Sequence, residues 1–114
     1  MLFITQLVYV QPGKEGMFDE FEAVSIPLIH KHGGELLLRV RPAPEAVIAG
    51  SLELPHEIHL VRFPSDEAFS RFAADEERQR FLRLKNDSVK YSLLVRGTVC
   101  VAGVLDSLPS RSEA

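Results

Sequence analysis

At 114 residues, 46% hydrophobic and 25% charged, the chain has the length and composition of one folded domain with a modest core. Its formal net charge of -3, from 13 Lys plus Arg against 16 Asp plus Glu, provides no general attraction to a phosphate backbone, so nucleic acid is not an expected partner. The one cysteine, Cys100, excludes an internal disulfide and a thiolate metal cluster, and between Val99 and Val101 it reads as a small buried hydrophobe.

The opening run LFITQLVYV (2–10) is rich in β-branched and aromatic residues and stops at Pro12-Gly13, which predicts a strand ending in a turn. It lacks the basic leader of a signal peptide, and no apolar run approaches the roughly 20 residues of a membrane span, so cytoplasmic residence is expected. From about Lys14 the period becomes helical: Met17, Phe18, Phe21, Val24, Ser25, Leu28 and Ile29 share one side, with Glu15, Asp19 and Glu22 on another. Pro27 inside that pattern predicts a kink or break. Gly33 or Gly34 then supplies the left-handed residue that closes a helix, and ELLLRV (35–40) begins a second strand that AVIAG (46–50) extends or borders.

EIHLVRF (57–63) is a third strand with Glu57, His59, Val61 and Phe63 on one face and Ile58, Leu60 and Arg62 on the other. Ser65 caps a helix beginning at Asp66-Glu67, and Asp75 opens a further helical group. VKYSLLVRG (89–97) is the fourth strand. Residues 1–100 form the expected domain, and 101–114 a partly disordered extension. The order predicts an α+β fold, a ferredoxin-like β-α-β-β-α-β plait with two helices on one side of its sheet. Because the uncovered sheet face contains several apolar residues whichever alternation is chosen, it calls for a partner, and a homodimer is the leading expectation.

The chemical candidates are few. His30 and His32 stand two apart at a helix end, where they do not share a face and make poor joint metal ligands; His32 is kept as a pocket candidate. Glu57 and His59 do share a strand face, and a carboxylate beside an imidazole orients it for acid-base work. Tyr9, Tyr91 and Arg62 are polar groups on largely apolar strands. The charge-rich DEERQRFLRLK (75–85) reads as a solvated, ion-pairing helix face, including Arg78, Arg80, Arg83 and Lys85. No HExxH, paired-cysteine, EF-hand or P-loop pattern occurs, so neither metal nor cofactor is expected.

Together, PLIHKHGGELLLR (27–39), Gly50 after a β segment, EIHLVRFPSDEAFSRF (57–72) and DEERQRFLRLK (75–85) resemble the DUF1330 family within the dimeric α+β barrel superfamily. Pro27 resembles the proline of that family's first helix, His32-Gly33-Gly34 its helix-terminating motif, and Phe63-Pro64-Ser65 its entry to helix two. Arg78 stands where the family usually has tyrosine. The resemblance implies a protomer whose sheet packs on a second copy to form a dimeric α+β barrel, and it brings no established reaction. Related branches include cofactor-free quinol monooxygenases, lactone isomerases and haem-dependent enzymes, an analogy of fold that names no residue here.

The expected function is binding of a small apolar or aromatic ligand by a homodimeric protein. The alternative is cofactor-independent oxygenation or isomerisation of a phenolic or activated carbonyl substrate, with His32 or His59 as base and Tyr91 or Arg62 stabilising the oxyanion. A non-catalytic interaction module is a further reading, and RNA binding ranks last because EIHLVRF lacks the glycine- and aromatic-rich pattern of an RNA-recognition strand.

Overall fold

The computed structural model describes residues 1–98; Cys100 and the 101–114 extension lie outside the described residues. In chain order come β1 (Leu2–Val10), α1 (Glu15–Lys31), β2 (Glu35–Val40), β3 (Glu57–Phe63), α2 (Asp66–Ala73), α3 (Glu76–Arg80), α4 (Leu82–Ser88) and β4 (Val89–Gly97). The strands form one sheet in the order β2-β3-β1-β4, with each neighbouring pair antiparallel. β1 is internal, pairing through Ile4 with Val61 on one side and Arg96 on the other.

The period-2 pattern of β3 is realised as complete alternation: Glu57, His59, Val61 and Phe63 are buried, and Ile58, Leu60 and Arg62 only partly so. The helices lie over that buried face. Leu2, Ile4, Val61 and Phe63 of the sheet meet Leu28 and Ile29 of α1 and Ala68 and Phe72 of α2. α1 is held down by Phe18, Phe21, Ser25, Leu28 and Ile29, a stripe at helical spacing.

The break expected at Pro27 is absent, for α1 runs through it. Pro27 is exposed, as is Ala23, whose carbonyl the missing amide would have served, so solvent replaces the lost hydrogen bond. Gly33 takes the left-handed conformation at φ 80°, Gly34 N–H donates to the Ile29 carbonyl at 2.8 Å and Gly33 N–H to that of His30 at 3.0 Å, closing the helix as a Schellman motif. Gly34 is also required sterically, since a Cβ there would lie 2.7 Å from Phe63 Cε1.

Two architectural expectations are corrected. Residues 46–50 form no strand; a 3-10 turn at Pro44–Ala46 leads into an irregular loop, because Pro42 and Pro44 deny the ladder its amide donors. Nor does the chain form the ferredoxin-like plait closed into a barrel. The sheet is open, ending at β2 and β4, which do not pair with each other, and three short helices stand where the plait has one. Asp75 starts α3 by accepting the Glu77 amide at 2.9 Å, and α3 stops at Phe81, so the stretch never carries one continuous helix. The barrel was what the family resemblance implied; the apolar alternation establishes only that the second face carries apolar residues. On that face Leu38, Val40, Leu93 and Val95 are exposed.

Candidate functional site

The sheet-borne pair read from the sequence is in contact. His59 Nε2 lies 2.8 Å from Glu57 Oε1, and both side chains are buried. Glu57 also accepts Arg39 Nε at 2.7 Å, Arg39 Nη2 at 3.0 Å and Arg41 Nε at 2.7 Å. Burial alone would raise the Glu57 pKa, but hydrogen bonds from His59, Arg39 and Arg41 outweigh it and hold the carboxyl well below its usual range. An ionised carboxylate can only accept, so Nε2 carries the hydrogen. In the neutral form of the ring the lone pair is then on Nδ1, the tautomer a general base needs. Phe18 stacks on the imidazole with ring centroids 6.4 Å apart, restricting its rotation.

His59 lines a cavity of about 320 Å³ between the helix layer and the sheet. Its walls are largely aromatic and aliphatic, with Phe18 and Phe21 from α1, Phe72 from α2 and Ile4 and Val61 from the sheet. Three charged groups enter it: Glu22 of α1, Arg78 of α3 and Lys85 of α4. Burial raises the Glu22 pKa despite the opposing fields of His59 and Arg39. Burial lowers Lys85, reinforced by Arg78, and lowers Arg78 against the pull of Glu22. The Arg78 guanidinium lies over the rings of Phe21 and Phe72, at 5.5 and 5.1 Å from their centroids. A hydrophobic chamber with few convergent polar groups has the character of a small-molecule site.

The other sequence candidates do not converge on it. His32 Nε2 and Lys31 Nζ each lie 2.8 Å from Asp75 Oδ2, a cluster at the end of α1 that pins it to the start of α3. Arg62 points to the opposite face of the sheet and pairs with Glu35. Tyr91, also on that face, stacks on Tyr9 at 4.4 Å and donates its hydroxyl to Glu53 at 3.0 Å. The expected grouping of His32, His59, Arg62 and Tyr91 is therefore replaced by His59 with Glu22, Arg78 and Lys85.

Those three residues were hidden by type. Glu22 groups with Glu15 and Asp19 as an acidic helix surface, yet it stands four residues after Phe18 and seven before Ile29, inside the core stripe. Arg78 and Lys85 sit seven apart in a segment that otherwise reads as solvated charge. Among the described residues, Asp19, His56 and Glu57 place potential metal-ligand atoms within 4.8 Å of one another. Arg39 and Arg41 already bridge the two carboxylates, so guanidinium groups stand where a cation would.

No helix among the described residues is long and apolar enough to cross a membrane. No curated protein matches the chain. Among solved structures, it is similar to a protein of unknown function from Rhodopseudomonas palustris, at a TM-score of 0.77 and 16% identity over 88% of this chain and 82% of that one. It also resembles an uncharacterized NIPSNAP domain protein from Burkholderia xenovorans, at 0.64 and 15% over 96% and 100% of the two chains. A third is an antibiotic biosynthesis monooxygenase, at 0.65 and 13% over 89% and 100%. At such identities the likeness is one of fold. Residues 4–98 match the family model described as a domain of unknown function, and the chain thus belongs to the DUF1330 family.

Proposed function

We propose that the cavity is an active site for cofactor-independent chemistry on a small phenolic or activated carbonyl substrate, with His59 as general base. The observation that carries this reading is the Glu57-held imidazole at the wall of an apolar chamber, with its accepting nitrogen uncommitted to Glu57. Abstraction by Nδ1 of an activated C–H proton leaves an enolate, and of a phenolic O–H proton a phenolate, whose oxygen Arg78 stabilises in a medium of low dielectric. Return of the proton to a different carbon completes an isomerisation with no co-reactant. With molecular oxygen, a CH₂ centre becomes C=O and the second oxygen atom leaves as water. The fold shared with an antibiotic biosynthesis monooxygenase supports the oxygenase branch.

The test is proton exchange. A panel of phenols, β-diketones and unsaturated lactones is incubated with the protein in D₂O and followed by NMR, with and without oxygen. Deuterium incorporation or oxygen uptake by the wild type, abolished in His59→Ala, is the expected result. Exchange that persists in a folded His59→Ala variant removes His59 from the role.

We further infer that a second copy covers the open sheet face. Leu38 and Val95 are 48% and 61% exposed there, and the patch joins β2 to β4 across the whole sheet. A light-scattering mass of one chain at micromolar concentration overturns that assignment.

A further inference from the structure

The cavity holds one more cation than the proposed chemistry uses. Arg78 and Lys85 both line it, and the carboxylates near at hand are Glu22 and Glu57. Glu57 is saturated by Arg39, Arg41 and His59. Among the described residues, no carboxylate lies within ion-pair distance of Lys85 or Arg78, and Arg78 Nε is buried without a hydrogen-bond partner. Glu22 interacts with both cations only through its field. Arg78 Nη1 donates only to the Ala73 carbonyl, at 3.3 Å; burying a charge without a counter-charge bonded to it is costly, and two such cations against one carboxylate leave an excess positive charge facing an aromatic-walled space.

Building on the proposed active site, we propose that its substrate is an arylcarboxylate or acyl-carboxylate. The permanent carboxylate is held by Lys85, while Arg78 faces the oxygen that gains charge during reaction. The division follows from geometry. Arg78 lies over the rings of Phe21 and Phe72 and donates to the Ala73 carbonyl, contacts that hold its planar fork in one orientation suited to one defined oxygen. Lys85 presents a point charge on a flexible stem from α4, suited to gripping a carboxylate at the far end of a ligand. The aromatic walls take the body between them. At about 320 Å³ the cavity is at the small end of ligand pockets, commonly about 300–1,000 Å³, and matches one ring with a short side chain. A bare inorganic anion would leave the aromatic surface unused.

The experiment compares 4-hydroxyphenylacetate with its neutral amide and with inorganic phosphate, by calorimetric titration of the full chain. Saturable binding of the carboxylate at least about ten-fold tighter than the amide, with phosphate weaker than both, is expected; about ten-fold corresponds to about 1.4 kcal/mol. That preference should fall to about two-fold or less in Lys85→Met, remain in Lys85→Arg, and remain in Lys90→Met, whose lysine pairs with Glu53 at the surface. Equal affinities for carboxylate and amide in the wild type overturn the proposal, whatever the variants do. So does no saturable carboxylate binding at millimolar concentration, phosphate binding as tightly as the carboxylate, or an undiminished preference in folded Lys85→Met. The catalytic reading fails separately: a carboxylate preference without C–H exchange on any arylcarboxylate or acyl-carboxylate leaves the anion site standing and removes the base. Exchange on neutral compounds as fast as on carboxylates removes the anion site and leaves the base.

Discussion

Two carboxylate–histidine pairs sit at opposite ends of the helix layer, and they share their local chemistry. In each, histidine Nε2 lies 2.8 Å from a carboxylate oxygen, and in each the carboxylate also binds a basic side chain. In the Glu57–His59 pair both partners are buried and the imidazole borders an apolar cavity. In the Asp75–His32 pair, Asp75 spends its other oxygen capping α3, and Lys31, 60% exposed, completes the cluster at the surface. A hydrogen-bonded imidazole is therefore a common structural device; it becomes a candidate base only where the residue also lines a cavity, as His59 does.

The sharpest break between the pairs is catalytic. His59→Ala is expected to lower the rate of proton abstraction by about 10²–10⁴-fold, the usual contribution of a positioned general base, while His32→Ala leaves it unchanged. NMR exchange rates on the same substrate check both, and equal losses would erase the distinction. Next comes stability. Glu57→Gln leaves Arg39 and Arg41 facing a neutral amide and should cost about 3 kcal/mol, the low end for a broken buried pair because both arginines can turn to water. Urea melts measure it, with Asp75→Asn expected to cost less, since asparagine still caps α3.

Acid should separate the pairs in the same sense. Both carboxyls have folded pKa values below their ordinary 4.5 and 3.8, so each stabilises fully above that value and loses its contribution as pH falls below it. Glu57→Gln should therefore flatten the fall in stability below about pH 4.5 more than Asp75→Asn does, because Lys31, the charged partner of Asp75, is open to solvent and screened by it. Chemical melts at stepped pH test this. The smallest effect belongs to His32→Asn, a loss of about 0.5–1 kcal/mol or less with no change in ligand affinity. A larger loss would mean that the His32–Asp75 contact anchors α1 to α3 more firmly than the exposed Lys31–Asp75 contact beside it.

Much of this contrast is legible one element at a time. Alternation along EIHLVRF places Glu57 and His59 on one strand face, and the contact follows from a two-residue repeat. Ser65 before Asp66-Glu67 caps α2, accepting the Ala68 amide at 3.1 Å, because its hydroxyl serves an amide that the helix leaves unpaired. Gly33 closes α1 because a left-handed residue is needed where the chain turns into β2. The failures share one cause. His32, Arg62 and Tyr91 were grouped with His59 by chemical type, yet strand alternation alone sends Arg62 to the other face. Pro27 predicts a kink or a break, and the break does not occur because an exposed carbonyl can bond to water instead.

The sequence by itself determined the four strands, the first helix, the start of the second, and the side of β3 that carries the carboxylate and imidazole, because dihedral preference, capping and side-chain period act over a few residues. Tertiary structure alone decided that the sheet ends open at β2 and β4, and that α1, α3 and α4 bring Glu22, Arg78 and Lys85 to the same cavity as His59. Burial of a charged side chain depends on which surfaces meet above it. The stretch 75–85 looks solvated in isolation, and only the docking of α3 over Phe21 and Phe72 turns Arg78 inward.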